Sequence, residues 1–496
     1  MNIYQVIQKL INKEIDSNLI DKEDEIYVRN KIIDLLGIND FVLEEPVKRE
    51  DYPIPDLLEE IIDYACEHKI IEDLFYEKEI LSSKIMDCFM SKPSTINKIF
   101  YEKYEDSAES ATNYFYELSK NNNYIQTKQI AKNINYKAAT EYGDLDITIN
   151  LSKPEKNPKD IAREKLVKST NYPKCLLCIE NEGYAGKAGH PARSNHRIIH
   201  MNLGDEEWNF QYSPYAYYNE HCIVLASEHR DMKVDKNTFS RLLQFVEKFP
   251  HYFVGSNADL PIVGGSILSH DHYQGGRYEF AMAKAEEEYE FKLDKFKDIS
   301  FGIVKWPMSV IRIKGENTSS IIDVADYILN SWREYSDPAA GIYAYTENTP
   351  HNTVTPIARK KKGVFELDIV LRNNRTSEEH PLGIFHPHED VQHIKKENIG
   401  LIEVMGLAVL PARLKTELKE VERYILDLDN NIAEAHKPWG DLLKEKYKDK
   451  IDKDNVEEIV RKETAAKFLR VLEDAGVFKR NEEGMKYFKE FISSIS

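Results

Sequence analysis

At 496 residues, 42 % hydrophobic and 31 % charged, the chain has the composition of a soluble globular protein too long for one compact core. A formal net charge of −18 argues against a nucleic-acid or anionic-membrane partner, and no run of eighteen apolar residues offers a transmembrane helix. Five cysteines (Cys66, Cys88, Cys175, Cys178, Cys222) with no visible secretory leader read as reduced thiols of a cytoplasmic protein, not as a disulfide framework.

Taken in chain order, the first stretch, to about residue 135, repeats apolar residues every three or four positions and predicts helices, with Asp56 and Ser107 as helix-start residues. Nothing chemical converges there, so the region reads as a helical scaffold or dimerisation element. From about residue 140 the pattern changes. DLDITINLS alternates apolar and polar residues as a half-buried strand does, and HCIVLAS, YFVGS and ELDIVLR are short strand-like runs between long loops. Beyond about residue 413, three amphipathic segments predict a helical cap. Two stretches echo one another: Asn257 lies thirteen residues before His270, and Asn373 thirteen before His386, each after a strand, which suggests a duplicated unit.

Chemistry concentrates in GGSILSHDHYQGG, residues 264–276. On an extended backbone His270, His272 and Gln274 would share one face, and the flanking glycines would let the backbone approach a ligand. A neutral imidazole attacks phosphorus well near neutral pH, so His272 reads as the nucleophile of a nucleotidyl transfer. Gln274 cannot protonate a leaving group; its amide can only donate hydrogen bonds to phosphoryl oxygens. A sugar phosphate leaves without a general acid, so the pair favours transfer over hydrolysis.

Cys175-Leu-Leu-Cys178 could be redox-active or half of a zinc site, and His229 and His270 are the candidate further ligands. An acidic protein that handles phosphates must gather basic residues locally. Arg193, Arg197, Arg277 and the run Arg359 to Lys362 are the candidates. For His190, His196, His200 and His221 a structural role is the simpler reading. His386 and His388, with His351 upstream, could supply metal ligands or sugar-phosphate contacts.

These residues resemble one family. CLLCIENEGYAGKAGHPAR, QYSPYAYYNEHCIVLASEHRDM, GGSILSHDHYQGG, TPIAR and HPHEDVQHIKKENIGLIEVMGLAVLPARL are similar to the second, bacterial class of galactose-1-phosphate uridylyltransferases, strongly over about residues 140–425. The resemblance implies an α+β fold of duplicated histidine-triad-like antiparallel sheet units. Its regions would be a helical amino-terminal part (1–138), a catalytic unit (139–295), a second unit (296–425) and a helical cap (426–496). It also implies a ping-pong reaction: UDP-glucose gives its uridylyl group to His272, and galactose 1-phosphate takes it up. By position, Gln274, Asn257 and Ser266 would contact the uridylyl phosphate; Arg193, Arg197, Arg277 and Arg359 stay candidate substrate contacts on their charge. Cys175, Cys178, His229 and His270 would hold a structural zinc, with no organic cofactor and a homodimeric assembly. One departure stands out: first-class members carry His-Pro-His where this chain has His-Asp-His. Their second metal site, a glutamate sixteen residues past the nucleophile and three later histidines, would fall on Glu288, His351, His386 and His388. The alternatives are a histidine-triad adenylyltransferase or hydrolase, of which the hydrolase would want an acid in place of Gln274, and a zinc-stapled nucleotide-sugar sensor, which would need no nucleophile.

Overall fold

The structure, a computed structural model, describes residues 2–47, 52–152 and 171–496. Two compact units arise from the chain. One comprises Met1–Ala131, Ser152–Ala216 and Glu220–Arg230, the other Lys132–Leu151, Tyr217–Asn219 and Asp231–Ser496.

In the first unit the helical spacing of the sequence is realised. Helices Ile3–Asp16, Glu25–Leu35, Ile54–Glu67 and Phe75–Asp87 bury Ile7, Leu10, Ile11, Ile32, Ile61 and Ile85 in one core. Ser107 caps the helix Ala108–Asn121, its side chain accepting from the Ser110 amide. Asp56 does not start a helix. The helix begins at Ile54 after Pro53, so Asp56 sits inside the first turn, where its charge suits the helix dipole.

The sheet strands are labelled in chain order. β1 (Ile134–Thr140) and β2 (Gly143–Ile149) form a hairpin in the second unit, and β3 (Ile199–Leu203), β4 (Glu206–Tyr212) and β5 (Cys222–Ala226) form an antiparallel group in the first. The rest lie in the second unit: β6 (Phe253–Gly255), β7 (His272–Gly276), β8 (Glu287–Phe291), β9 (Ser300–Val304), β10 (Val310–Gly315), the short pair β11 (Tyr345–Thr346) and β12 (Thr349–Pro350), β13 (Asn352–Lys361), β14 (Val364–Asn373) and β15 (Leu407–Leu410).

Within that unit strands run in the order β7-β6-β13-β14-β10-β9-β8, every neighbour antiparallel, while β15 adds in parallel to β2. This is the α+β class the sequence implied. A helix–strand–strand arrangement also occurs twice. Lys236–Lys248 leads into β6 and β7, Thr318–Glu334 leads into β13 and β14, and β6 pairs with β13 between them. The thirteen-residue echo does not follow this repeat. Asn257 comes after the first strand of its pair, whereas Asn373 ends the second strand of the other.

Register fixes which side chains share a face. Gln274 pairs with Gly255, Gly255 with Ile357, Ile357 with Asp368 and Asp368 with Arg312. These and His272, two residues from Gln274, project to one side. Tyr273 projects to the other, where Arg241 of the helix Lys236–Lys248 donates to its hydroxyl at 3.4 Å.

A buried charge network closes that first face. Arg312 binds both Asp368 oxygens at 2.7 and 3.0 Å, and Arg359 reaches Asp368 at 2.7 Å and Glu366 at 2.6 Å. Burial opposes ionisation of Asp368, but the two guanidinium groups outweigh it and hold its carboxyl down, from 3.8 to about 2. Because the folded value lies below the unfolded one, the stabilisation is present above about pH 4 and is lost as pH falls toward 2, on the order of 2 kcal/mol. Asp368→Asn leaves two buried guanidinium groups short of a carboxylate and lowers unfolding stability by about 3–5 kcal/mol in urea titrations at pH 7. An unchanged midpoint would refute this account.

Candidate active site

The Cys175–Cys178 turn leads into the 3-10 helix Ile179–Asn181. Asn181 donates its amide to the carbonyls of Cys175 and Cys178 at 2.9 and 2.8 Å, and its Oδ1 meets His190 Nε2 at 2.7 Å. The turn is therefore shaped by the chain's own hydrogen bonds. The two sulfurs stand 3.5 Å apart, and Cys178 Sγ lies 3.1 Å from Nδ1 of His229, which follows β5. Cys175, Cys178 and His229 thus gather in the first unit, while His270, the fourth ligand that the resemblance implies, belongs to the second. Tetrahedral zinc with sulfur bonds of about 2.3 Å would set its sulfurs about 3.8 Å apart, so this donor set and spacing fit such an ion. Burial, together with the adjacent Cys175 thiol, pushes the Cys178 thiol up to about 11, which a bound cation would reverse.

The second metal site does not form. Among the described residues this is the one group of its kind. Glu288 is taken by a two-pronged ion pair with Arg480 at 2.6 and 2.7 Å. His351 is held between Asn374 and Thr346, and His388 by the Ile384 carbonyl. Sequence offset alone had suggested their convergence.

The expectation of three side chains on one strand face needs the same kind of correction. β7 begins at His272, so only His272 and Gln274 share the face; His270 precedes the strand and is fully buried. What links the two imidazoles is a backbone contact. His272 Nδ1 lies 2.7 Å from the carbonyl oxygen of His270, an acceptor only, so Nδ1 carries the proton and Nε2 keeps the lone pair. Burial, aided by the neighbouring His270 and opposed by this hydrogen bond, pulls His272 down to about 4, which keeps the ring neutral at pH 7.

Asn257, on the loop between β6 and β7, is buried, and its Oδ1 accepts from the Leu401 amide at 2.8 Å. A Cβ at Gly265 would lie 2.7 Å from Asn257 Nδ2, so glycine is required where the loop passes this amide. Ser266 is exposed on the same loop.

The arginines divide by their partners. Arg197 is committed to the fold: it donates to the carbonyls of Ser91, Ser194 and His196 and pairs with Asp87 at 2.7 Å. Arg359 is committed to Glu366 and Asp368. Neither guanidinium is placed as a free substrate clamp. Arg277 and Arg359 both line a cavity of about 260 Å³ with Lys360 and Lys361. Arg193 stands 5.3 Å from the centre of the Tyr124 ring, whose other neighbour is His196, stacked at 4.3 Å. Burial raises Glu79 to about 7, and Arg193 opposes it. His196 and His200 are held by Gln211 and Asn209 in structural roles.

Sequence reading missed Arg241. Its Nη1 lies 3.9 Å from the buried Asp271 and also reaches Tyr273, so one guanidinium tethers the residues on both sides of His272. The aspartate of His-Asp-His has this partner thirty residues upstream, a pairing with no local sequence signal.

Family models described as galactose-1-phosphate uridyl transferase match the chain in two parts, the N-terminal domain over residues 18–231 and the C-terminal domain over 245–441. The chain is 53 % identical to the galactose-1-phosphate uridylyltransferase of Clostridium perfringens strain 13 over all of its length and 99 % of the relative. It is equally identical to galactose-1-phosphate uridylyltransferase 1 of Streptococcus pneumoniae TIGR4 over 99 % of both. Among solved structures, yeast Ap4A phosphorylase Apa2 is similar at 10 % identity with a TM-score of 0.36, covering 71 % of this chain and 96 % of that one. With models spanning most of the chain and relatives matching it end to end, the chain belongs to the galactose-1-phosphate uridylyltransferase family.

Proposed function

We propose that the chain converts UDP-glucose and galactose 1-phosphate to glucose 1-phosphate and UDP-galactose by a ping-pong mechanism through a uridylyl group on His272. The observation that carries this reading is the contact between His272 Nδ1 and the His270 carbonyl, which leaves Nε2 as the lone-pair nitrogen. Nε2 attacks the α-phosphorus of UDP-glucose, forming a P–N bond as the bond to glucose 1-phosphate breaks. Galactose 1-phosphate then attacks the same phosphorus and returns the lone pair to Nε2. Gln274 and Asn257 offer amide hydrogens to the phosphoryl oxygens, and Gln274 supplies no proton to the leaving phosphate. Arg193 and Arg277 are the cations we assign to substrate phosphates or the base.

Cys175, Cys178, His229 and His270 would hold zinc in a structural role; the ion, when bound, fixes the loop that carries the His270 carbonyl. Five free cysteines accord with a reducing, cytoplasmic setting, and a homodimer is the assembly we expect. No helix among the described residues is long and apolar enough to cross a membrane.

The test is incubation with UDP-glucose carrying ³²P in the α-phosphate, without acceptor. Acid-labile label on the protein, discharged to UDP-galactose by galactose 1-phosphate, is the expected result. Steady release of UMP without a labelled protein would favour the hydrolase instead.

A further inference from the structure

Arg372 stands on β14, on the face that carries Gln274 and His272, two positions beyond the Thr355–Val370 pair. It is 1 % exposed, and the carboxylate whose charge acts on it, Glu403, is bound by Lys395 instead. Its Nε has no hydrogen-bond partner. Burying an unpaired guanidinium costs more than two neutral acceptors return, so stability does not explain the residue. What it holds does. Nη1 donates to Thr355 Oγ1 at 3.3 Å, and Nη2 donates to the carbonyl of Ile399 at 2.9 Å.

Two residues past Ile399, the Leu401 amide donates to Asn257 Oδ1 at 2.8 Å. An N–H can face only the oxygen of a side-chain amide, so this bond sets which way the Asn257 group points. Its NH2 is thereby turned toward Gly265, in the loop that leads to the nucleophile. The same segment is pinned again by the buried Lys395, which binds Glu403 and the Val409 carbonyl, each at 3.0 Å. The turn at 399–401 is thus held from β14 and from β15, and only the β14 tether is a side chain that makes no ion pair.

We infer that Arg372 is a positioning residue for uridylyl transfer: by holding the Ile399 carbonyl it fixes the Leu401 amide that presents the Asn257 NH2 to the transferred phosphoryl group. The inference rests on the proposed role of Asn257. Pre-setting the amide spares its rotamer freedom at the moment of reaction, when charge grows on the phosphoryl oxygens.

The experiment is a double-mutant cycle read by single-turnover uridylylation with UDP-glucose, together with thermal midpoints. Asn257→Ala slows uridylylation about tenfold. Arg372→Met, apolar and of similar length, slows it about tenfold while the protein stays folded, and Arg372→Lys recovers part of the rate. In the Asn257→Ala background, Arg372→Met adds less than about twofold, because the group it positions is gone. Additive losses, or an unimpaired Arg372→Met enzyme, overturn the inference. An unimpaired Asn257→Ala enzyme instead overturns the role of Asn257 itself.

Should Arg372→Met fail to fold, Leu401→Pro decides. It removes the donating N–H at the first residue of the helix Leu401–Val404, where proline fits, after Gly400 at φ −86°, ψ −174°. The same dependence on Asn257 is expected, and its absence refutes the inference.

Discussion

Asparagine in place of His272 leaves the protein folded, without bound uridylyl label, and slower in turnover by at least about four orders of magnitude. The reason lies in the two ring nitrogens. Nδ1 is spent on the His270 carbonyl, so the reaction depends on the Nε2 lone pair. An asparagine amide can still donate to that carbonyl, but its nitrogen offers no lone pair to phosphorus. The structural loss is about one hydrogen bond, on the order of 1 kcal/mol, so folding survives and the chemical step does not. Rapid-quench incubation with α-³²P UDP-glucose, followed by separation of protein from nucleotide, measures it. Label retained at the unmodified level on His272→Asn protein would place the nucleophile elsewhere.

Loss of a thiol from the cysteine–histidine group has the second large effect. Cys178→Ala protein retains no stoichiometric zinc in elemental analysis and unfolds more easily, by on the order of 5 kcal/mol. Its kcat falls about tenfold to a hundredfold. The stability loss follows from linkage: donors that come together only in the folded chain give the free energy of zinc binding to the folded state. The kinetic loss follows from the chain, because the His270 carbonyl is the atom that holds the His272 tautomer. Asn181 still clamps the 175–178 turn, which keeps the effect below that of losing the nucleophile. A metal-free Cys178→Ala protein with the thermal midpoint of the unaltered chain would remove zinc from the account.

Much of this site was legible in the residues. Glycine pairs around His272 and Gln274 marked a loop that a ligand can approach, and Gly265 is confirmed as a place where a side chain would strike Asn257. The C-x-x-C does meet one of its separated histidines, His229, within the first unit. Legibility failed where partners are distant in sequence. Arg197 and Arg359 looked like phosphate clamps, yet their charges belong to Asp87 and to Glu366 and Asp368. Glu288 had the right offset for a metal ligand and is paired with Arg480 instead. The echo between Asn257 and Asn373 matched a real repeat of helix, strand and strand, but in the wrong register.

Residue types alone limit the chemistry available: an imidazole, an amide neighbour unable to act as an acid, and thiols and imidazoles able to bind a metal. Those depend on side-chain identity and on spacings of two or three residues, which local backbone geometry carries. The tertiary structure alone decided which nitrogen of His272 is free, which way Asn257 points, and which arginines are already spent. Each of these is settled by a hydrogen bond or ion pair that folding brings together, and Arg372, Ile399, Leu401 and Asn257 have no common motif from which that bond could be read.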